Sequence, residues 1–219
     1  MRRFDCVTEE RRSFDQRSRH WDAAYTARGV QGVSWYQSVP QVSLELIEAM
    51  QIPRDAAVID IGGGASTLVD QLWQRGFRDL TVLDISASAL DEVRSRPGAS
   101  SVRRLHEDVL EWQPDRRYDL WHDRAVFHFL VDETDRRSYL RTLQSALNVS
   151  GAVILGTFAP DGPAVCSGLP VIRYSAEDLL SLLGDTFEPL ANRREIHVTR
   201  REVCQPFTWV AGRQCVRDM

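Results

Sequence analysis

Three consecutive glycines, Gly62 to Gly64, directly follow the apolar run Val58 to Ile61. Residues without a Cβ let the backbone come close to a bound ligand, and a turn from a strand into a helix is a common place for such an approach. An acid, Asp60, lies two positions before the first glycine. It would repel a pyrophosphate but suits an ammonium group, either directly or through water. This spacing indicates a binding loop for a ligand that carries an amino-acid group.

Two more acids close the next two predicted strands of the chain. Asp84, followed by Ile85, lies about 20 residues after the first glycine, where a carboxylate can accept hydrogen bonds from both hydroxyls of a ribose. Asp108, followed by Val109, closes the third predicted strand and is placed to hydrogen-bond an adenine amino group. Either acid alone could equally be an ordinary cap at a strand end. Together with Asp60, they indicate one zwitterionic ligand that carries adenosine.

A dinucleotide such as NAD would use the same glycines and the same ribose carboxylate. Its fingerprint requires a third glycine where this chain has Thr67, and the branched Cβ of threonine would crowd the helix against the strand. Thr67 and Asp60 therefore disfavour an NAD-linked oxidoreductase, which is kept as the alternative from a different class of enzyme. A protein that binds the ligand without catalysis is a further alternative.

A dense group of charged and aromatic residues, 118–130, runs from the fourth predicted strand into the turn that follows it. Its candidate catalytic residues are His122, Asp123, Arg124 and His128. Because an unperturbed imidazole titrates near neutrality, either histidine could act as a general base, or either could simply pack in the core. Arg124, and Arg173 further along, could hold a carboxylate or phosphate of a substrate, or could pair with neighbouring acids of the chain.

Short β-branched or aliphatic runs alternate with amphipathic stretches of helical length from Ala57 onward. This alternation predicts repeated βα units around a mostly parallel sheet, so the fold class is α/β, a three-layer Rossmann-like sandwich. The predicted strands are 57–61, 80–84, 102–106, 118–122, 152–158, 187–197 and 207–211. The predicted helices are 43–50, 67–75, 87–96, 135–147 and 176–183. No full helix separates the last two strands, so we expect them to form an antiparallel hairpin.

A loop rich in proline and glycine, residues 159–170, follows the fifth predicted strand. Loops at the carboxyl ends of strands line the ligand crevice of such sheets. The loop contains Cys166, which would be of interest for a soft acceptor, although separate reduced thiols are the simpler interpretation. The four cysteines are Cys6, Cys166, Cys204 and Cys215. No group of His, Cys or carboxylates on one element has the spacing of a metal site, so no metal is predicted.

The segment Asp60-Ile61-Gly62-Gly63-Gly64, with Asp84 and Asp108, resembles motifs I to III of the class I methyltransferases that depend on S-adenosylmethionine (SAM). The resemblance covers roughly residues 18–212. It implies a seven-stranded sheet in the order 3-2-1-4-5-7-6, with strand 7 antiparallel, and SAM as the cofactor. It also implies that the glycines contact the methionyl part of SAM, that Asp84 holds the ribose, and that Asp108 faces the adenine.

The segment before the sheet, residues 1–50, resembles the lid of several bacterial small-molecule methyltransferases and of eukaryotic protein-lysine methyltransferases of the elongation-factor type. We predict a helical lid segment on a core that spans 51–219, in one domain overall. Aromatic faces attract cations such as a sulfonium, so the lid aromatics Trp21, Tyr25, Trp35 and Tyr36 are candidates for closing over the cofactor. Alternatively, they plug the edge of the sheet. The predicted cofactor-binding residues are Trp21, Trp35, Tyr36, Asp60, Ile61, Gly62, Gly63, Gly64, Ser66, Asp84, Ile85, Asp108, Val109 and His122.

Methyl transfer to a small-molecule acceptor is the main functional prediction, and transfer to a protein lysine is the alternative within the same chemistry. Lys and Arg number 27 against 31 Asp and Glu, a formal net charge of −4, so no overall positive field attracts nucleic acid. The longest uncharged run, 142–160, is too polar to span a membrane. We therefore expect a cytoplasmic monomer or homodimer that binds neither nucleic acid nor a membrane.

Overall fold

The computed structural model describes residues 13–96 and 98–215, so Cys6 and the first twelve residues of the lid segment lie outside the described part. Seven strands of the described part form one sheet. They are β1 (Ala57–Ile61), β2 (Asp79–Asp84), β3 (Val102–His106), β4 (Tyr118–Arg124), β5 (Leu147–Phe158), β8 (Phe187–Val198) and β9 (Cys204–Gln214). A separate small hairpin consists of β6 (Val165–Cys166) and β7 (Leu169–Pro170).

The order of strands across the sheet is β3-β2-β1-β4-β5-β9-β8. Strands β1 to β5 run parallel, and β9 is antiparallel to both of its neighbours, β5 and β8. When the β6–β7 hairpin is left out of the numbering, this is the predicted order 3-2-1-4-5-7-6 with an antiparallel last strand. The predicted α/β sandwich is confirmed.

Helices cover both faces of the sheet. They are α1 (Phe14–Arg28), α2 (Gln41–Ala49), α3 (Leu68–Gln74), α4 (Ala87–Arg94), α5 (Glu133–Ala146) and α6 (Ala176–Leu183). Side chains of α2, α3 and α4 pack with Val58 and Leu120 on one face. Those of α5 and α6 pack with Ile59 and Trp121 on the other. Because successive residues of a strand point to opposite faces, β1 and β4 are buried on both sides, as central parallel strands are.

The strands that exceed their predicted bounds most are β5 and β9. β5 begins at Leu147 rather than Ala152, because Leu147 already pairs with Tyr118 across a register shift in the β4–β5 ladder. The polar residues between Leu147 and Ala152 predict a turn, but the irregular β4–β5 ladder includes them in β5. β9 extends beyond the predicted 207–211 on both sides, since it pairs with β8 along its whole length.

The helix α1 has no apolar stripe that would predict it, because Ser18 and Tyr25 are its only buried residues. Its start is fixed by a capping box. The Ser13 hydroxyl accepts a hydrogen bond from the Gln16 amide, and the Gln16 side chain accepts one from the Ser13 amide. This Ser-x-x-Gln spacing is the local signal that could have located the helix within the lid segment.

Among the described residues, no helix combines the length and the apolar character that crossing a bilayer would require. The same residues contain no group of three or more His, Cys, Asp or Glu arranged to hold a metal ion.

A buried hydrogen-bond network joins β4 to α5. The fully buried Asp123 carboxylate accepts hydrogen bonds from the amides of Val126 and Phe127, at 2.9 and 3.1 Å. It also accepts one from the Tyr139 hydroxyl at 2.5 Å, and the Trp121 indole donates to the same hydroxyl at 2.8 Å. Burial raises the pKa of Asp123 to about 6. The carboxylate therefore fixes the turn after β4 and tethers α5 to the sheet.

We expect Tyr139→Phe to lower the free energy of unfolding by about 1–3 kcal/mol, because it removes a donor from a buried carboxylate and an acceptor from a buried indole. Tyr118→Phe is the matched control. The Tyr118 hydroxyl is buried without a hydrogen-bond partner in the described structure, so its loss should leave stability unchanged or raised. Urea unfolding followed by tryptophan fluorescence measures both variants. Equal losses in the two would contradict the role assigned to the network.

Candidate functional site

Two adjoining cavities lie at the carboxyl ends of β1, β2 and β4, where ligands bind in open α/β sheets. The larger has a volume of about 380 Å³ and the smaller of about 50 Å³. Five residues line both: Tyr25, Trp35, Ile61, Gly62 and Arg124. A more open cavity of about 430 Å³ lies beside α3 and α4, and none of the three predicted acids lines it. The first two cavities therefore form the candidate site.

The glycine loop packs directly against two of the predicted acids. Gly62 has a φ of +61°, and a Cβ there would overlap a methyl group of a neighbouring valine. A Cβ on Gly63 would overlap the Asp60 carboxyl group, and one on Gly64 would overlap the Asp84 carboxyl group. Only glycine keeps the loop this close to both acids. Gly62 and Gly63 line the small cavity, whereas Gly64 lines neither cavity.

Asp60 is 2% exposed and lines the small cavity. Its Oδ1 lies 2.7 Å from Nδ1 of His122, and Nε2 of the same ring lies 2.9 Å from the Ser43 hydroxyl. With Asp60 ionised, Nδ1–H donates to the carboxylate and Nε2 accepts from the hydroxyl. Oδ2 of Asp60 is buried and has no hydrogen-bond partner among the described residues. The arrangement thus leaves one carboxylate oxygen available to a ligand that donates hydrogen bonds.

Asp84 is 6% exposed and lines the larger cavity together with Ile85. Its Oδ1 accepts a hydrogen bond from the Ser86 amide at 2.8 Å. Burial raises the pKa of Asp84 to about 7, and the negative charges of Asp60 and Asp22 add to the effect. In the absence of a ligand, this carboxylate is therefore half-protonated near neutral pH.

Asp108 is 4% exposed and lines the larger cavity together with Val109. Oδ1 accepts a hydrogen bond from the Leu110 amide at 2.9 Å. Oδ2 accepts one from Nε of Arg17 at 2.6 Å and forms an ion pair with the same guanidinium. Sequence reasoning missed Arg17, because nothing in the local pattern links residues that lie so far apart in the chain.

A second acid attaches α1 to the site. Oδ1 of Asp22 accepts hydrogen bonds from the Ser86 hydroxyl at 2.7 Å and from the Ser88 amide at 3.1 Å. Ser86 is the N-cap of α4, and its hydroxyl accepts from the Ala89 amide. An acid at a helix N-terminus is favoured by the exposed amides and the helix dipole. Asp22 therefore completes the start of α4 from a distant helix.

The four aromatic residues of the predicted lid segment line the cavities. Trp21 packs edge-on against Trp35, with ring centres 5.7 Å apart, and the Trp35 indole donates to the Tyr25 hydroxyl at 3.2 Å. Trp21, Tyr25 and Trp35 line the larger cavity, and Tyr36 lines the smaller one. Ser66 also lines the small cavity, and its hydroxyl accepts from the Leu68 amide at the start of α3.

The structure separates the four candidate catalytic residues into two pairs. His122 and Arg124 line the cavities, whereas Asp123 and His128 line neither. Burial, with the nearby Arg124 charge, lowers the pKa of His128 to about 3, and its Nδ1 accepts from the Phe158 amide at 3.2 Å. His128 is therefore neutral and turned into the core. The geometry gives Asp123 and His128 structural positions, contrary to the expectation that they face a substrate.

The predicted loop after β5 forms part of the wall through the β6–β7 hairpin. Cys166, Leu169 and Pro170 line the larger cavity. Burial raises the pKa of the Cys166 thiol, so the reactive thiolate is disfavoured. Arg173 lines neither cavity and donates to the Gly162 carbonyl at 3.3 Å.

Comparison with known proteins agrees with this geometry. Residues 58–151, which contain the glycine loop and all three acids, match the family described as a methyltransferase domain. This match, together with solved SAM-dependent methyltransferases that share the fold, supports the predicted resemblance to class I SAM-dependent methyltransferases and SAM as the cofactor. The resemblance of the N-terminal segment to a lid stays a prediction.

Similar proteins of this methyltransferase family differ in their acceptors. The chain is 26% identical to human EEF1A lysine methyltransferase 2 over 189 residues, 78% of this chain and 74% of that protein. It is 25% identical to malonyl-[acyl-carrier protein] O-methyltransferase 2 of Ilyobacter polytropus over 63% of this chain and 57% of that protein. Burkholderia thailandensis 1,6-didemethyltoxoflavin-N1-methyltransferase, solved with 1,6-didemethyltoxoflavin and S-adenosylhomocysteine, shares the fold with a TM-score of 0.66 at 18% identity, over 93% of this chain and 86% of that one.

Asp84 should make binding of S-adenosylhomocysteine depend on pH. Its pKa of about 7 in the folded protein exceeds the value of about 3.9 in an unfolded chain. The stability linked to this group is therefore fully present below about pH 4 and is lost as pH rises to about 7. A ribose that donates to the ionised carboxylate must displace the proton. Affinity should rise with pH from about 5.5, by up to about tenfold per unit, and level off above about 7.

Titration calorimetry across this range, in buffers of different ionisation enthalpy, measures both the affinity and the proton released. Asp84→Asn should bind more weakly and lose the pH dependence. Asp91→Asn is the control, since Asp91 lies on the exposed side of α4. A wild-type affinity that is the same at both ends of the range would show that Asp84 does not meet the ligand.

Proposed function

We propose that this protein transfers the methyl group of SAM to a small-molecule acceptor bound in the larger cavity. The observation that carries this proposal is that α1, the β6–β7 hairpin and the acids Asp84 and Asp108 all line one cavity. A concave, mostly covered site lined by aromatic residues and a few polar groups is typical of a small-molecule pocket. An acceptor that binds there would be enclosed rather than held on an open surface.

The residues of the site fit SAM group by group. The unpartnered Oδ2 of Asp60 would receive the ammonium group, and the glycine loop would lie along the methionyl part. Asp84 would accept hydrogen bonds from the ribose, and Asp108 with Val109 would face the adenine. Bound SAM supplies a methyl group that its positively charged sulfur makes electrophilic. The residues around it would hold the cofactor in one orientation.

Alignment and exclusion of water would be the main contributions of the chain to catalysis. Methyl transfer is an in-line displacement, so holding the acceptor atom opposite the sulfur lowers the barrier. Of the two predicted catalytic histidines, only His122 lines a cavity, and both of its ring nitrogens already have partners. His122 would therefore act as a positioning residue for Asp60. Trp21 and Trp35 would keep water from the reacting atoms.

Residues 1–50 would act as a lid on the core of 51–219. Polar contacts at the surface of the site hold α1, namely the ion pair of Arg17 with Asp108 and the hydrogen bonds that Asp22 accepts. These contacts are few, so the lid segment would be able to leave and return. Its aromatic residues would then close over the sulfonium.

Transfer to a protein lysine is the second candidate, and the likeness to human EEF1A lysine methyltransferase 2 is the observation that favours it. A screen with methyl-labelled SAM distinguishes the two candidate functions. The protein is incubated with a small-molecule extract and, separately, with a protein extract of the same cells. Label in the small-molecule fraction alone supports the main proposal. Label in protein lysine alone would replace it with the second.

We expect calorimetry to show that SAM and S-adenosylhomocysteine bind with similar affinity, because the acids contact groups that both ligands share, and that NAD does not bind. Asp60→Asn should weaken binding of both ligands by about 1–3 kcal/mol, since the buried oxygen that would meet the ammonium loses its charge. The exposed Asp91→Asn is again the control. Binding of NAD in the absence of any SAM binding would overturn the proposed function.

Ligand binding should also protect α1 from protease. We expect S-adenosylhomocysteine to slow trypsin cleavage at Arg17, Arg19 and Arg28, because the closed lid holds the helix that trypsin must unfold. Asp22→Ala should speed these cuts in the absence of ligand, since it removes the contacts with α4. Mass spectrometry of a time course gives each rate, and cleavage at Arg193 on β8 serves as the internal control. Identical rates at α1 with and without ligand would contradict the lid.

A further inference from the structure

Arg124 is the last residue of β4 and lines both cavities of the site. Its Cζ lies 4.7 Å from the centre of the Phe207 ring, and its Nη1 donates a hydrogen bond to the Trp35 carbonyl at 2.9 Å. Nε and Nη2 are buried and have no hydrogen-bond partner among the described residues. Nη1 of the guanidinium is thus hydrogen-bonded, whereas Nε and Nη2 are not.

The two nitrogens without partners form a single edge of the guanidinium plane. Nη2 lies on the same side of the group as the Nε–H bond, so an N–H bond of each nitrogen points the same way. This edge matches the two oxygens of a carboxylate, which arginine therefore binds in a bidentate manner. The Nε and Nη2 edge of Arg124 therefore has the geometry of a carboxylate site.

The acids of the chain near Arg124 are engaged elsewhere. Both oxygens of Glu195 accept hydrogen bonds, one from Gln37 at 2.5 Å and one from the Trp209 indole at 2.8 Å. Asp60 is bonded through Oδ1 to His122. Burial lowers the pKa of the Arg124 guanidinium, and the charges of Glu195 and Asp60 offset this only in part. A buried guanidinium whose Nε and Nη2 have no hydrogen-bond partner among the described residues costs free energy. Such charged groups at a cavity are candidates for binding a ligand.

We propose that the methyl acceptor carries a carboxylate, which binds to the Nε and Nη2 edge of Arg124. This inference rests on the proposed function, since it names the acceptor class for the same site. Nη1 is bonded to the Trp35 carbonyl and the Nε and Nη2 edge is buried, so the carboxylate enters when this part of the lid segment moves. Charge also distinguishes the two acceptor classes: a buried guanidinium attracts a carboxylate and repels the ammonium group of lysine.

Thermal unfolding of the protein saturated with S-adenosylhomocysteine tests the inference with small probes. Hexanoate and benzoate are the carboxylates, hexanamide and benzamide are their neutral counterparts, hexylamine is the cation, and inorganic phosphate is the other anion. We expect the carboxylates to raise the unfolding midpoint and the amides and the amine to leave it unchanged. Phosphate should act more weakly than the carboxylates.

Two substitutions of Arg124 complete the test. Arg124→Gln should abolish the shift caused by the carboxylates, and Arg124→Lys should reduce it by about half or more, because an ammonium group cannot offer two parallel N–H bonds. Arg213→Gln is the control and should keep the full shift. Arg213 is a partly buried arginine near the far end of β9, where it donates to the Met50 carbonyl at 2.6 Å.

The outcomes are distinct. A carboxylate shift that persists in Arg124→Gln, or equal shifts from carboxylates and amides, would overturn the inference, and so would a larger shift from phosphate than from carboxylates. If Arg124→Gln does not fold, an undiminished carboxylate shift in a folded Arg124→Lys would likewise overturn the inference. Failure of the wild-type protein to bind S-adenosylhomocysteine, seen before any probe is added, would instead overturn the proposed function.

Discussion

Carboxylates buried at one edge of the sheet are the constraint on which the rest of the structure depends. Asp60, Asp84 and Asp108 are 2, 6 and 4% exposed, and removing such groups from water is costly unless donors replace the lost hydrogen bonds. The chain meets this demand only in part. A histidine ring, backbone amides and an arginine donate to most of the oxygens. Oδ2 of Asp60 is buried without a hydrogen-bond partner among the described residues, so a ligand that donates a hydrogen bond to it would be stabilised.

This constraint also explains why the glycine loop and the first helix lie where they do. Side chains at Gly63 and Gly64 would push the Asp60 and Asp84 carboxylates away from the backbone of the glycine loop. The acids would then have fewer hydrogen-bond donors. Arg17 supplies positive charge to Asp108 from α1. The docking of α1 is therefore linked to the charge of Asp108, and a ligand that changes the charges around Asp108 would change how firmly α1 is held.

The sheet order and the positions of the acids could be predicted from the sequence, because both follow from local patterns and a family resemblance. The roles of the residues around β4 could not be separated in the same way. His122 and Arg124 share one face of the strand, and Asp123 points to the other. Alternation thus separates Asp123 from the other two residues, but it does not tell which face borders the cavities, because β4 is buried on both sides. The contact of Arg17 with Asp108 depends on the docking of a polar helix, for which the sequence carries only the capping box at Ser13.

A side chain of α1 caps the start of α4, since Asp22 accepts hydrogen bonds from the Ser88 amide and from the Ser86 hydroxyl. The Ser86 amide, in turn, donates to Asp84. If α1 detaches, the first turn of α4 loses an acceptor and should fray, and the same short turn holds Asp84 in place. Hydrogen exchange at the amides of Ser86 and Ser88 would therefore report whether α1 is docked, although these amides lie more than sixty residues beyond Asp22.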